Sequence, residues 1–483
     1  MTFKIKRSLL AASVAAAIVA PVTGFATNGM NLEGYGPIAT GMGGASMAYD
    51  NGVAAVMNNP ATLGLMEDGE GRLDVALGNL GPDITSSAGP LSADSGGDSY
   101  FMPAVGYAVR NGQLTYGIGM FAQGGMGTEY DANSFLAAGT GEDVRSEVGV
   151  GRLAVPIVYT VDKNLTVGGS IDFVWGGMDL KMALQGSQFL DFMPGAANNG
   201  GEASGSLVTA FNGAVGAGQI DATNPVNNAR FDFSNDNDFT GEATGNGFTG
   251  KLGVTYKVNK NLSVGATYHM ETAMSDLEAS DASMSMSANF DDGVLGGGAP
   301  VGTYTATDVS VSGKISVNDF QFPAQIGLGM AYQEDRWMVA ADVKIIQWSD
   351  VMDSFRMTFT ADATQSNPLA GGFAGTTLDV EMYQNWDDQT VVQLGGAYKV
   401  TTDTTLRAGV NLASNPIPDD YINPLFPATV ENHVTLGFGY AVSKMSGIDF
   451  SLTIVPEVEV TGASGVTTTH SQTNWQFMYS QKF

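Results

Sequence analysis

The sequence predicts an all-β transmembrane protein, a fourteen-stranded antiparallel outer-membrane β-barrel with an N-terminal plug in its lumen. Three observations carry that expectation. Hydropathy alternates with a period of two from about residue 71 onward, short turns alternate with long connections, and the final strand puts aromatic residues on one face up to Phe483.

Composition sets the class. Charged residues are 14% of the 483-residue chain and glycine contributes 64 positions. Ordinary soluble proteins carry about 25% charge. After the first 30 positions no apolar run reaches the roughly 18 residues that a spanning helix needs. A weakly charged, glycine-rich chain of this kind fits a barrel in which alternate residues face lipid.

The start reads as a secretory signal peptide over residues 1–26. Lys4, Lys6 and Arg7 form a basic opening, Leu9 to Ala20 an apolar stretch, and Gly24-Phe25-Ala26 a small-x-small cleavage site. The chain holds 21 Lys and Arg against 49 Asp and Glu, a net charge of −28, and loss of the leader makes it more acidic. Such acidity disfavours nucleic acid and anionic membrane surfaces as partners. It suits loops facing a lipopolysaccharide layer bridged by divalent cations, and solvated loops equally. With no Cys there is no disulfide framework and no thiolate metal site.

The alternation is regular. Leu406, Ala408, Val410 and Leu412 share one face, while Thr405, Arg407, Gly409 and Asn411 share the other. Val434, Leu436, Phe438 and Tyr440 oppose Thr435, Gly437 and Gly439 in the same way. Hairpins close at Asn111-Gly112, Asp162-Lys163-Asn164, Asn259-Lys260-Asn261, Glu334-Asp335-Arg336, Thr402-Asp403 and Lys444-Met445-Ser446. The expected strands are 71–80, 100–110, 113–123, 148–161, 165–178, 246–258, 262–274, 309–333, 337–348, 388–400, 404–414, 430–442, 447–459 and 470–483. An even number puts both ends on the short-turn, periplasmic side. Parity changes between Val317 and Phe322, so a bulge is expected in 309–333. The connection 181–245 is expected as a long polar loop.

In the last strand Trp475, Phe477, Tyr479 and Phe483 share a face. Outer-membrane barrels typically end so, with a terminal Phe read by the barrel assembly machinery. These four residues are the expected assembly signal, and that machinery an expected partner.

Residues 27–70 do not alternate. They hold Gly43-Gly-Ala-Ser-Met-Ala-Tyr-Asp50-Asn51-Gly52 and then Asn58-Asn59-Pro60-Ala61. This run resembles the N-terminal hatch of the long-chain fatty-acid outer-membrane transporters, the FadL/TodX-like family, in which an Asn-Pro-Ala motif sits in a plug within the barrel. Asn59, Pro60 and Ala61 match the motif. The likeness extends to the hairpin order, to Trp348-Ser349 closing the ninth strand, and to the aromatic C-terminus. Physics gives the same organisation: a barrel this wide has a lumen to fill, and Met42, Met47, Val53, Val56, Met57, Leu63, Leu65 and Met66 are too apolar for a disordered tail. The domains expected are therefore a leader (1–26), a hatch (27–70) and a barrel (71–483).

The resemblance implies uptake of a hydrophobic small molecule, by capture outside, passage to a pocket beside the hatch, and lateral exit at a kinked third strand. In this chain that strand holds Gly117 and Gly119 and ends Gln123-Gly124-Gly125. It also implies basic ligand contacts beyond the fifth and ninth strands, where Lys181 and Arg356 are the nearest positions. By parity Arg152, Lys251, Lys344 and Arg407 face the lumen and are further candidates for a ligand carboxylate, although lumen acids such as Asp172 or Asp342 can pair with them. The 23 Met residues suit adaptable apolar pockets. A monomer in the Gram-negative outer membrane is expected, among lipid and lipopolysaccharide.

Dinucleotide-binding, enzymatic and metal-binding readings find no support. Gly245-Asn-Gly247-Phe-Thr-Gly250 fits the dinucleotide pattern but enters a strand. His269, His433 and His470 stand without a nucleophile motif or metal spacing, so neither an enzyme, a cofactor nor a metal is expected. A general polar-solute porin, which would need an open lumen, is the alternative reading within the class, and a structural or adhesive barrel, which would need patterned loops, the alternative outside it.

Overall fold

The computed structural model describes residues 28–196, 200–237 and 240–483. The leader expected over residues 1–26 lies outside these described residues.

Strands begin where the alternation does. In chain order they are β1 (Gly71–Leu80), β2 (Pro82–Ala88), β3 (Leu91–Asp94), β4 (Tyr100–Asn111), β5 (Leu114–Tyr130), β6 (Val144–Thr160), β7 (Leu165–Gln185) and β8 (Gly201–Ser204). Next come β9 (Val226–Phe233), β10 (Ala243–Lys257), β11 (Leu262–His269), β12 (Ala273–Met274), β13 (Leu277–Asp291), β14 (Tyr304–Asn318), β15 (Gln325–Glu334) and β16 (Trp337–Ile346). The chain ends with β17 (Ser354–Ala361), β18 (Thr377–Tyr383), β19 (Gln389–Lys399), β20 (Thr404–Ala413), β21 (Asn432–Ala441), β22 (Ser446–Thr461) and β23 (Thr467–Lys482).

Antiparallel ladders run in one circuit, from β1 through β4, β5, β6, β7, β10, β11, β15, β16, β19, β20, β21 and β22 to β23, which pairs back with β1. Closure removes the unpaired edges that lipid could not satisfy. Aliphatic side chains such as Val155, Ile157, Ile171 and Leu328 stand exposed on the outside, Ile171 at 70%. Thr115, Asp172, Lys251, Gln393, Thr435 and Ser451 are buried on the inside. In water the first set would be a liability; against acyl chains it is the required surface.

Fourteen plain strands joined by loops does not describe this sheet, which contains twenty-three strand segments. The long connections are themselves β-structure. From the upper end of β7 a ladder continues through β9, β13, β14, β17 and β18 to β8. The 181–245 connection, expected as a polar loop, thus holds β8, β9 and the helices Gly186–Asp191 and Ser206–Gly216, with Phe189, Leu207, Val208 and Phe211 buried. The expected bulge in 309–333 is a break between β14 and β15. Asp319 there takes a left-handed φ of 53°, and Pro323 has no N–H to offer a ladder. Trp348, expected to close its strand, lies past β16 and opens the 3₁₀ turn Trp348–Asp350.

Residues Asn28 to Met66 are almost wholly buried. They form three short helical turns, Pro37–Thr40, Val53–Val56 and Pro60–Leu65. Their hydrogen bonds reach Asp74 on β1, Val254 on β10, Asp342 on β16, Gln393 on β19 and Thr435 on β21, which places the segment within the ring. The last strand presents Phe477, Tyr479 and Phe483 outward, Trp475 is half-buried, and the Phe483 ring meets Tyr107 edge-on at 6.4 Å.

Two outcomes follow from this architecture. An impermeant maleimide should label Ala299→Cys, at a long-loop tip, on intact cells, and should reach Lys260→Cys, in a short turn, only after lysis; the reverse pattern refutes the orientation. Deleting Phe483 should lower the amount of heat-modifiable barrel several-fold without changing synthesis, and normal barrel in the outer membrane would refute an assembly role for that residue.

Candidate functional site

The site is built from the buried N-terminal segment upward. Asn59 caps the turn Pro60–Leu65: its Oδ1 accepts from Ala61 N–H at 3.1 Å, and its Nδ2 donates to the Met47 and Val254 carbonyls at 2.7 and 3.2 Å. Pro60 needs no backbone partner at the first position of a turn. Ala61 is fully buried, with its backbone against Gly168 of β7 and Gly253 of β10. The motif predicted from sequence is therefore a clasp between segment and wall. The wall has room because it lacks side chains there. A Cβ on Gly265 would strike the Met47 carbonyl, one on Gly395 the Met42 backbone, and one on Gly409 the backbone of Met42 and Gly43. Asp50 adds a charged tie, with both carboxylate oxygens on Arg72 of β1 at 2.7 and 2.9 Å.

The wall is incomplete at one place. The β4–β5 ladder stops at Val105–Met120, while β4 continues to pair with β1 as far as Tyr100 and β5 with β6 as far as Tyr130. Above Val105 the two strands part. β5 bulges between Ala122 and Gly124, and Gly124 bridges to Asn31 of the segment instead of to β4. The bulged residue, Gln123, is held from three sides: its carbonyl accepts from Tyr35 Oη at 2.8 Å, its Nε2 donates to Asn31 Oδ1 at 3.3 Å, and its Oε1 accepts from Arg152 Nε. Of the glycines singled out from sequence, Gly124 and Gly125 lie in this parted stretch, where a side chain would collide with the Met30 and Val148 carbonyls respectively. Gly117 and Gly119 lie below it, in the paired part.

Beside the parting is a cavity of about 500 Å³. Its lining includes Leu80, Phe101, Met102, Pro103, Met120, Phe121, Val148 and Trp175, and it takes in outward-facing residues as well as Gly29 of the segment. Met126 and Val148 also line a small cavity of about 20 Å³ with Met30, Phe320, Met352, Phe355, Met382 and Trp386. Farther out, Met182, Phe189, Met193, Leu207 and Val380 enclose another of about 20 Å³ within the outer sheet. The series is apolar and rich in Met, whose unbranched thioether adapts to different shapes. Trp348 backs the middle cavity, fully buried, its ring 5.1 Å from that of Trp386.

The cations proposed from sequence as carboxylate ligands line none of these three cavities. Lys181 is 3.1 Å from Asp143 and 2.5 Å from Asp236. The Lys181 hydrogen bond holds Asp236 below the usual carboxylate range. Arg356 pairs with Glu381 at 2.8 Å on an exposed edge. Arg152 and Lys251 share Asp172, and Arg407 pairs with Asp449 at 2.8 Å. Lys344 faces the lumen with no ion pair among the described residues, on the far side of the ring from the parting. At the rim, burial pushes Glu431 up to about 7 against a hydrogen bond from the Asn415 backbone. Sequence reading missed the seat glycines and the hub at Gln123. The signal for the first was present, since Gly395, Gly409 and Gly437 all fall on lumen-facing parity; the second needs the register.

A closed lipid-facing ring with an apolar cavity at a fault in its wall defines an outer-membrane transport barrel rather than a soluble binding protein. Comparison with known proteins agrees. Residues 13–482 match the family described as outer membrane protein transport protein (OMPP1/FadL/TodX). The chain belongs to this family, a family of transport channels of the Gram-negative outer membrane. It is 32% identical to the toluene transporter TodX of P. putida, covering 94% of this chain and 99% of that one with a TM-score of 0.78. Against the toluene transporter TbuX of Ralstonia pickettii the identity is 29%, with 94% and 99% covered and a TM-score of 0.72. A Pseudomonas aeruginosa FadL homologue shares the fold at 17% identity and a TM-score of 0.64. An uncharacterised Chlorobium limicola protein is 46% identical over 81 residues, 17% of this chain and 40% of that protein's length.

Removing the clasp should loosen the segment and spare the ring. Asn59→Ala deletes two donated bonds and a cap, about 1–3 kcal/mol in total. Gly265→Leu introduces a clash with the Met47 carbonyl. In both, limited proteolysis should cut within 40–66 at least several-fold faster while heat-modifiability stays normal; unchanged cleavage refutes the clasp.

Proposed function

We propose that this protein carries small, neutral hydrophobic molecules, aromatic hydrocarbons foremost, inward across the outer membrane. The single observation that carries the reading is the apolar 500 Å³ cavity at the parting of β4 and β5. An apolar solute gains nothing from an aqueous pore, and the polar lipopolysaccharide layer opposes direct partition. A cavity that meets the acyl region through the wall gives it an apolar exit. The three Met-rich cavities supply successive stations, from the outer sheet, past Met30, to the parting. Residues 27–70 act as the plug, with Asn59, Pro60 and Ala61 its clasp, and small polar solutes are kept out. Gly124 and Gly125, with Gln123, form the exit, and Gly117 and Gly119 let β5 approach its neighbours. The short turns face the periplasm, and the barrel works as a monomer.

A neutral substrate is favoured over a fatty acid because Lys181, Arg356 and Arg152 are already paired with acids and Lys344 stands away from the cavities. A carboxylate drawn into them would find no cation. The relatives whose names specify toluene point the same way.

The test is uptake in cells of matched barrel abundance. Deleting Gln123 removes the bulge and should let β4 and β5 pair farther up, lowering toluene uptake about tenfold. Oleate should enter slowly and a disaccharide not at all through the unaltered protein. If the disaccharide enters freely and toluene does not, the protein is a porin; if oleate uptake exceeds toluene uptake, the neutral-substrate assignment fails.

A further inference from the structure

The connection between β20 and β21, residues 414–431, turns into the lumen. Ile417, Ile422, Leu425, Ala428, Thr429 and Val430 are all buried. Side chains from strands across the ring hold its carbonyls. Thr128 Oγ1 of β5 donates to the Leu425 carbonyl at 3.2 Å, and Ser146 Oγ of β6 donates to the same oxygen. Tyr130 Oη of β5 donates to the Pro424 carbonyl at 3.2 Å, and His470 Nδ1 of β23 lies 3.1 Å from the Pro427 carbonyl. On one side of the ring β22, β23, β1 and β4 separate β21 from β5. On the other, β19, β16, β15, β11, β10 and β7 separate β20 from β6. The connection therefore spans the lumen.

This inturned stretch touches two cavities at once. Ala428 lines the cavity of about 500 Å³ at the parting, and Phe426 lines the middle cavity of about 20 Å³. The buried segment does likewise through Gly29 and Met30. Met126 and Val148, register partners on β5 and β6, line both. Segment, wall and inturned loop thus meet at the boundary between the two cavities. A benzene-sized guest needs on the order of 150 Å³. The larger cavity holds one as it stands, whereas the middle cavity must widen. The β5–β6 ladder fixes the wall there, but its Met can change rotamer. Phe426 is a stiff ring, 6.0 Å from that of Phe355 on β17.

We propose that this boundary is a neck and that Phe426 is its specificity-determining residue, passing one aromatic ring and holding back two fused rings. The proposal rests on the neutral-hydrophobe reading of the cavities and narrows its substrate class.

Tryptophan quenching on the full protein in lipid nanodiscs tests the neck apart from transport. Of the five Trp, Trp348 and Trp386 stand at the middle cavity, and the other three are changed to Phe. At equal concentration in the lipid, bromobenzene should quench this pair at least about fivefold more than 1-bromonaphthalene does. Phe426→Ala should bring the two quenchers within about twofold of each other, and Phe426→Leu should narrow the gap in part. Equal quenching with Phe426 in place overturns the proposal and needs no variant at that position. A ratio that survives unchanged in an assembled Ala or Leu variant overturns it too. In cells of matched barrel abundance, Phe426→Ala should raise naphthalene uptake relative to toluene about fivefold. If quenching changes as expected while the uptake ratio does not, the neck stands and the transport route drawn through the cavities fails.

Discussion

The structure depends on one constraint: a stretch of irregular backbone sits buried inside a ring of strands. Each N–H and C=O of residues 28–66 needs a partner there. Part of the answer is local, in three short helical turns. The rest comes from the wall, where Asp74, Asp342, Gln393 and Thr435 bond the segment's backbone. Those side chains reach it because Gly253, Gly265, Gly395 and Gly409 let the two backbones touch. The glycine content of this chain is thus partly a matter of fit. It trades strand propensity for close approach, a cost the ladders of the ring offset where they are paired.

The ring was legible in the sequence because lipid outside and a polar lumen inside impose a strict period of two, and short turns mark where it reverses. Strand β1 falls on the expected boundaries and β23 near them. The outer sheet was not legible. Its strands β9 and β13 bury Met and Phe among Ser and Asn, a pattern that reads as polar loop until the partner strand is known, whereas part of β14 fell within the expected strand 309–333. Parity did register the change at 317–322, but a bulge and a break give the same one-residue slip, and only the position of Pro323 in a non-ladder stretch separates them.

Of the site, the Asn59-Pro60-Ala61 clasp could be seen in advance, being contiguous. The parting of β4 and β5 could not, since it is defined by which residues fail to pair. The cations mislead for a related reason. A lumen-facing Arg or Lys looks available in sequence, yet buried charge demands a counterion. Asp172 takes both Arg152 and Lys251, and Asp143 sits between Lys181 and Arg230. What remains along the cavity walls is mainly carbon and sulfur, with no Lys or Arg in the lining.

The seam between β1 and β23 has a consequence for biogenesis. It joins residues four hundred positions apart, Leu77 opposite Phe477 and Val75 opposite Tyr479. No chain lacking β23 can form that ladder, so a wall without it keeps two bare edges open to pairing with other chains. Closure of the ring therefore waits on the last strand of the chain.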